Sequence, residues 1–134
     1  MNDTKRVAVS DIMREDVSIV DGKITVMEAL KVMKRDQTTS LIVDRRNEDD
    51  EYGIVQFSDI AKQVLASDKA PERVNVYEIM AKPVISVRPN MDIRYCARLF
   101  ERFGIGRAPV MDGEKMIGIV SYYTLVLHGL TELD

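Results

Sequence analysis

Apolar residues along this chain recur in two periods. Val17-Ser18-Ile19-Val20 and Val84-Ile85-Ser86-Val87 are short β-rich runs, each ending at a turn signal, Asp21-Gly22 and Pro89-Asn90. Downstream of the first, Val26, Ala29, Leu30 and Met33 keep the i, i+3, i+4, i+7 spacing of a helix face. Ile93, Cys96, Ala97 and Phe100 repeat that spacing after the second. Thr25 with Glu28 three residues on has the form of a capping box, and Asp92 stands where it can cap the second helix. Two strands then pair across a turn in each half. They are Leu41–Asp44 with Gly53–Phe57, and Ala108–Met111 with Met116–Ser121 around the tight-turn pair Asp112-Gly113. Closing helices are predicted to start near Ser58 and Thr124, the first with Ile60, Ala61, Val64 and Leu65 as its apolar face.

The two halves are copies. Val9-Ser10-Asp11-Ile12-Met13 answers Val76-Tyr77-Glu78-Ile79-Met80 at an offset of 67, which also pairs Val26 with Ile93, Met33 with Phe100 and Val43 with Val110. Gly53-Ile54-Val55 recurs as Gly118-Ile119-Val120 at an offset of 65, so the first hairpin loop, 45–52, is two residues longer. The fold class expected is mixed α/β (α+β), built from tandem pseudo-symmetric β-α-β-β-α repeats at 9–66 and 76–131 with a linker at 67–75. Half the chain is too short to cover both faces of its own sheet, so the copies are expected to cover each other as one pseudo-symmetric unit.

Composition narrows the function. The 134 residues carry a net charge of −3 with 46% hydrophobic and 31% charged side chains, an ordinary globular balance. The acidic balance and the lack of a dense basic run argue against nucleic-acid binding. The stretch from Met116 to Thr131 is interrupted by polar residues and falls short of the ~20 apolar residues of a membrane span. The first residues lack the apolar core of a secretory signal, so the expected compartment is the cytoplasm.

Catalytic chemistry is thin. His128 is the only imidazole, which rules out a multi-histidine metal site within one chain, and no Ser-His-Asp triad is expected. His128 is expected on the exposed side of the last helix. Cys96 falls on an apolar stripe, where a thiol is inert packing. Gly104-Ile105-Gly106 precedes a strand, whereas a dinucleotide fingerprint needs a helix there. Asp49-Asp50-Glu51 reads as a solvated loop tip. No metal site is expected, and the chain does not read as an enzyme.

Two β-α-β-β-α copies opened by Asp11-Ile12-Met13 and Glu78-Ile79-Met80 resemble the cystathionine-β-synthase (CBS) domain pair. The resemblance continues through Lys82-Pro83-Val84-Ile85-Ser86-Val87-Arg88-Pro89, Gly106-Arg107-Ala108-Pro109-Val110-Met111-Asp112 and Gly53-Ile54-Val55-Gln56-Phe57-Ser58-Asp59-Ile60. It covers the chain from about Val9 to Leu130. It implies a regulatory module that binds adenosine-containing ligands (AMP, ADP, ATP or S-adenosylmethionine) in a cleft between the copies, with any Mg2+ arriving on nucleotide phosphates. It also implies a homodimer, with Ile12, Met13, Ile79, Met80 and the closing helices near its interfaces. With no enzyme attached, the module is expected to act in trans on a protein partner.

The ligand set that the resemblance implies is Ile54, Gln56, Ser58, Asp59, Pro83, Val84, Ile85, Gly106, Arg107 and Tyr123. Asp59 matches the carboxylate that accepts both ribose hydroxyls, which two oxygens can do at once. Ser58 and Gln56 flank it at positions that reach ribose and phosphate. Pro83-Val84-Ile85 matches the segment holding adenine, Arg107 a phosphate contact, Gly106 a point of close approach, and Tyr123 a place where a base is supplied. The second cleft would be formed by Asp16, Val17, Ser18, Thr39, Ser40, Ser121, Tyr123 and Thr124. It has Thr124 in place of the ribose Asp and Ser40 in place of Arg107, and Asp16 at its mouth would repel phosphate, so one functional site is expected. The residues also have plainer readings. Asp59 can be a favourable charge at a helix N-terminus, Ser58 a cap, Arg107 a packed surface stem, and the whole a structural dimerisation module without a ligand.

Overall fold

A computed structural model describes residues 6–132. Its contacts divide the chain into two compact units, one spanning Val17–Val84 and a split one made of the chain up to Asp16 and the chain from Ile85 onward.

The split unit takes the first turn, α1 (Val9–Ile12). The Val17–Val84 unit then runs β1 (Ile19–Val20), α2 (Val26–Asp36), β2 (Ser40–Val43), β3 (Gly53–Gln56) and α3 (Phe57–Ile60), which widens into π-helical Ala61–Leu65. β1 lies parallel to β2 and β3 antiparallel to its other side, with Ile19 opposite Ile42 and Ile42 opposite Ile54. All of β2 is buried, as a strand covered on both faces must be. α2 buries Val26, Ala29 and Met33. Its capping box forms as expected, with Glu28 N–H donating to Thr25 Oγ1 (3.1 Å) and Thr25 N–H to Glu28 Oε1 (2.9 Å). The segment read as a linker contributes Val74 to this core.

The split unit continues with α4 (Ile93–Phe103), β4 (Arg107–Asp112), β5 (Lys115–Ser121), and a π-helical Thr124–Gly129 that runs into α5 (Leu130–Glu132). α2 and α4 are 11 residues each, and both end on a left-handed residue, Gln37 (φ 53°) and Gly104 (φ 65°). Gly104 thus serves as a helix stop. Asp92 caps α4 by accepting from Arg94 N–H at 2.8 Å. Cys96 is fully buried among Ile93 and Phe100, and burial pushes its thiol up to about 11, as expected of a packing residue. His128 is exposed, also as expected.

Expectations change at one strand and one loop. No strand forms over 84–87; Val87 alone bridges, in parallel, to Val110. The cause is Pro109. In the other unit Ile42 N–H donates to Ser18 C=O at 2.9 Å, and the equivalent of Ile42 is Pro109, which has no N–H to give Ile85. The other ladder bonds survive: Val87 N–H donates to Pro109 C=O at 3.0 Å, and Met111 N–H donates to Val87 C=O at 2.9 Å, matching Asp44 N–H to Val20 C=O at 2.8 Å. Nor is Asp50 a solvated tip. Its side chain is 8% exposed and is paired with Lys82 Nζ (2.7 Å) and Arg46 Nε (3.1 Å). These partners hold its carboxyl well below the usual carboxylate range.

Each unit takes its opening segment from the other repeat. Arg14 and Ile119 exchange both backbone hydrogen bonds (2.9 and 2.8 Å), as do Ala81 and Ile54 (2.8 and 2.9 Å). The recurring glycine of Gly-Ile-Val makes room. A Cβ on Gly118 would stand 2.7 Å from Arg14 C=O and from Met13 Sδ, and one on Gly53 would stand 2.7 Å from Met80 Sδ. Ile12 and Ile79, expected near a dimer interface, are instead buried in the unit cores, with Met13 and Met80 packed against them. No helix among the described residues is long and apolar enough to cross a membrane.

Candidate functional site

In the Val17–Val84 unit, β3 carries Ile54 and Gln56 straight into α3, whose first turn holds Ser58 and Asp59. Asp59 Oδ2 accepts the Gln56 N–H at 2.7 Å, so the carboxylate caps the helix start. Its other oxygen, Oδ1, accepts no hydrogen bond among the described residues. Ser58 is exposed, Asp59 half-buried. Ile54 is 6% exposed and uses both backbone groups on Ala81. The antiparallel sense of that bridge, with Lys82 on Asp50, sets the chain off from Ala81 toward the β2–β3 loop, and Pro83 (exposed) and Val84 follow there.

The split unit holds the other four. Arg107 opens β4 opposite Ser121, half-buried, and desolvation lowers the pKa of its guanidinium. Gly106 C=O accepts from Tyr122 N–H at 3.0 Å. A Cβ on Gly106 would meet the Tyr122 ring at an ordinary 3.6 Å, so packing alone does not demand glycine there. Ile85 and Tyr123 are 38% and 66% exposed. The Tyr123 ring makes an edge contact with His128 at 6.0 Å between centroids.

The repeat equivalents of Gln56 and Asp59 are Ser121 and Thr124, and they use the same geometry for a different end. Thr124 Oγ1 accepts from Ser121 N–H (3.1 Å), Ser121 Oγ accepts from Thr124 N–H (3.3 Å), and the Thr124 hydroxyl donates to Ser121 C=O (3.1 Å). Thr124 is 1% exposed, so its hydroxyl is turned inward with both donor and acceptor in use. Sequence reading noticed the missing carboxylate but not this pairing, which the alignment of the two copies signals. Two more polar residues expected around the second cleft, Ser18 and Asp16, are engaged too. Ser18 Oγ donates to Asp36 Oδ2 at 2.7 Å, and Arg35, with this bond second, holds Asp36 down at about 2. Asp16 is held by Arg14 (Nη2 to Oδ2 2.8 Å, Nε to Oδ1 3.2 Å), so its charge is compensated within its own unit. No group of three or more potential metal-ligating side chains is found among the described residues.

The CBS domain model matches residues 9–66 and 76–129. The chain belongs to the CBS domain family. A CBS-CP12 protein from bloom-forming cyanobacteria, solved as a hexamer, superposes with a TM-score of 0.87 at 40% identity over 90% of this chain and 70% of that one. A CBS domain pair solved in complex with 5′-methylthioadenosine and S-adenosyl-L-methionine superposes at 0.82 with 25% identity, over 96% of this chain and 99% of that one. An uncharacterized protein of Methanopyrus kandleri is 32% identical over 119 residues, which is 87% of this chain and 60% of that protein. The match to the homoserine O-acetyltransferase of Methanosalsum zhilinae is 36% over 117 residues, 85% of this chain but 22% of that enzyme. The chain thus spans about 60% and 22% of the lengths of these two curated relatives.

Proposed function

We propose that the chain is a ligand-sensing CBS pair that binds an adenine nucleotide or adenosyl compound and passes its bound state to another protein. The observation that carries this reading is Asp59. Its carboxylate caps α3 with one oxygen and keeps the other for a ribose hydroxyl, while the equivalent Thr124 is internally satisfied. The related pair crystallised with adenosyl ligands supports the ligand class. Arg107 is assigned to a ligand phosphate by the family resemblance alone. A bound ligand changes what a partner meets only as far as it binds one conformation better than another.

Calorimetric titration with adenosine, AMP, ADP, ATP, S-adenosylmethionine and 5′-methylthioadenosine tests this reading. At least one is expected to bind at one site per chain. No heat from any of them would overturn it and leave an interaction module.

Homodimerisation is a second proposal, favoured by the exposed apolar side chains of the closing helix, Val126 (56%), Leu127 (48%) and Leu130 (56%). Light scattering at micromolar concentration is expected to give twice the chain mass. A monomer with and without AMP refutes it.

A further inference from the structure

α4 has two faces. Ile93, Cys96 and Phe100 fill the core. On the other side Tyr95, Leu99 and Phe103 recur at helical spacing with Arg98 and Arg102 between them, and Tyr95 and Phe103 stay 66% and 57% exposed. Together with Arg6, Arg88 and Met91, this face lines a groove of about 680 Å³. Four arginines line it against one carboxylate, Asp92, which is already in use as the α4 cap. Two of the guanidiniums are positioned. Arg6 Nη2 donates to Asn90 C=O at 2.6 Å, and Arg98 lies 5.5 Å from the centre of the Tyr95 ring. In a chain of net charge −3 this is a local reversal of sign.

We infer that this groove is a docking site for an acidic amphipathic segment of a partner protein. Large apolar side chains would seat on Leu99, Tyr95 and Phe103, and carboxylates would pair with the arginine rim. An apolar floor of aromatic and Met side chains inside a polar Arg rim is the anatomy of a protein interface. The four arginines are themselves exposed rather than gathered around an enclosed anion. A second copy of this chain related by a two-fold axis would set Arg98 and Arg102 against themselves, and like charges oppose such pairing. The inference rests on the split unit alone and is independent of the adenosyl reading.

Selection of short random peptides against the immobilised full chain tests it, with R98E/R102E as counter-screen. Enriched peptides are expected to carry Asp or Glu on either side of Leu, Phe or Trp. Fluorescein-labelled copies are expected to lose about tenfold or more in affinity, by anisotropy, on R98E/R102E and on Phe103→Ser, and to weaken as salt rises. No enrichment, neutral or basic sequences, or undiminished binding to R98E/R102E overturns the inference. So does competition by inorganic tripolyphosphate with no effect of Phe103→Ser, which makes the groove a small-anion site. Loss of self-association in R98E/R102E by light scattering overturns it as well, by making the face an interface between copies. These side chains are exposed, so the variants are expected to melt with the parent. Arg88→Glu, off the helix, gives the same reading if a helix variant melts early.

Discussion

Gly118→Val is expected to unfold the split unit at temperatures where the parent chain is intact. A Cβ at this position stands 2.7 Å from Met13 Sδ and 2.7 Å from the Arg14 carbonyl oxygen. The thioether can swing aside, but the carbonyl cannot, because Arg14 is fixed to Ile119 by two backbone hydrogen bonds. Valine adds two further methyl groups to that clash. Overpacking of this kind costs typically ~1–3 kcal/mol or more, and each kcal/mol moves the melting temperature of a small domain by roughly 4–8 °C. The repeat supplies an internal comparison. At Gly53 the nearest atom is the flexible Met80 Sδ at 2.7 Å, and the backbone oxygen of Ala81 is farther off at 3.2 Å. Thermal melts are therefore expected to fall in the order Gly118→Val, then Gly118→Ala, then Gly53→Ala as the mildest. Equal destabilisation by the two alanine substitutions would show that the fixed carbonyl is not what the glycine avoids.

Comparison of the two repeats also marks where local pattern stops being informative. α2 and α4 were legible because the apolar spacing, the caps at Thr25 and Asp92 and the glycine after Phe103 all lie within a few residues of the helix they define. The hairpins were legible for the same reason. The missing strand over 84–87 was not, since its β-pattern is sound and the missing donor is Pro109, more than twenty positions downstream. Asp50 reads as a solvated acidic tip because its main partner, Lys82, follows thirty-two residues later. Periodicity says which face of an element is buried, not against what. So the exchange of opening segments, with Met13 on Gly118 and Met80 on Gly53, lies beyond the pattern, although the motifs that make it all stand in the sequence.

The candidate site was legible to a different depth. Asp59 and Thr124 stood out once the copies were aligned, because a carboxylate and a hydroxyl differ in what they can accept. That both occupy the same capping position, and that Thr124 is closed on Ser121, depends on backbone geometry that composition does not carry. The arginine groove was half visible. The stripe Tyr95, Leu99 and Phe103 can be read from α4, but Arg6 and Arg88 reach the groove from other parts of the chain.

The sharpest separation of fold from function is expected at Asp59, with asparagine rather than alanine as the decisive substitution. In Asp59→Asn the amide oxygen can still accept the Gln56 N–H and so keep the α3 cap, but the amide nitrogen donates where a ribose hydroxyl needs an acceptor. Asp59→Asn is therefore expected to melt close to the parent and to lose about tenfold or more in affinity for adenosine, since hydrogen bonds to a charged group are worth roughly 1.5–3 kcal/mol each and ~1.4 kcal/mol is one decade. Asp59→Ala is expected to show the same loss of affinity together with a lower melting temperature, because the α3 capping box loses the carboxylate that accepts the Gln56 N–H, a hydrogen bond worth about 0.5–1.5 kcal/mol. Thr124→Ala reverses the pattern. It leaves the Ser121 N–H without the Thr124 hydroxyl it donates to at 3.1 Å, which lowers stability by about 1–3 kcal/mol, while adenosine affinity stays at the parent value. Calorimetry and thermal melts on the three variants resolve the matter. Adenosine affinity unchanged in Asp59→Asn rejects Asp59 as the ribose acceptor, and equal affinity losses in Thr124→Ala and Asp59→Asn reject the single site.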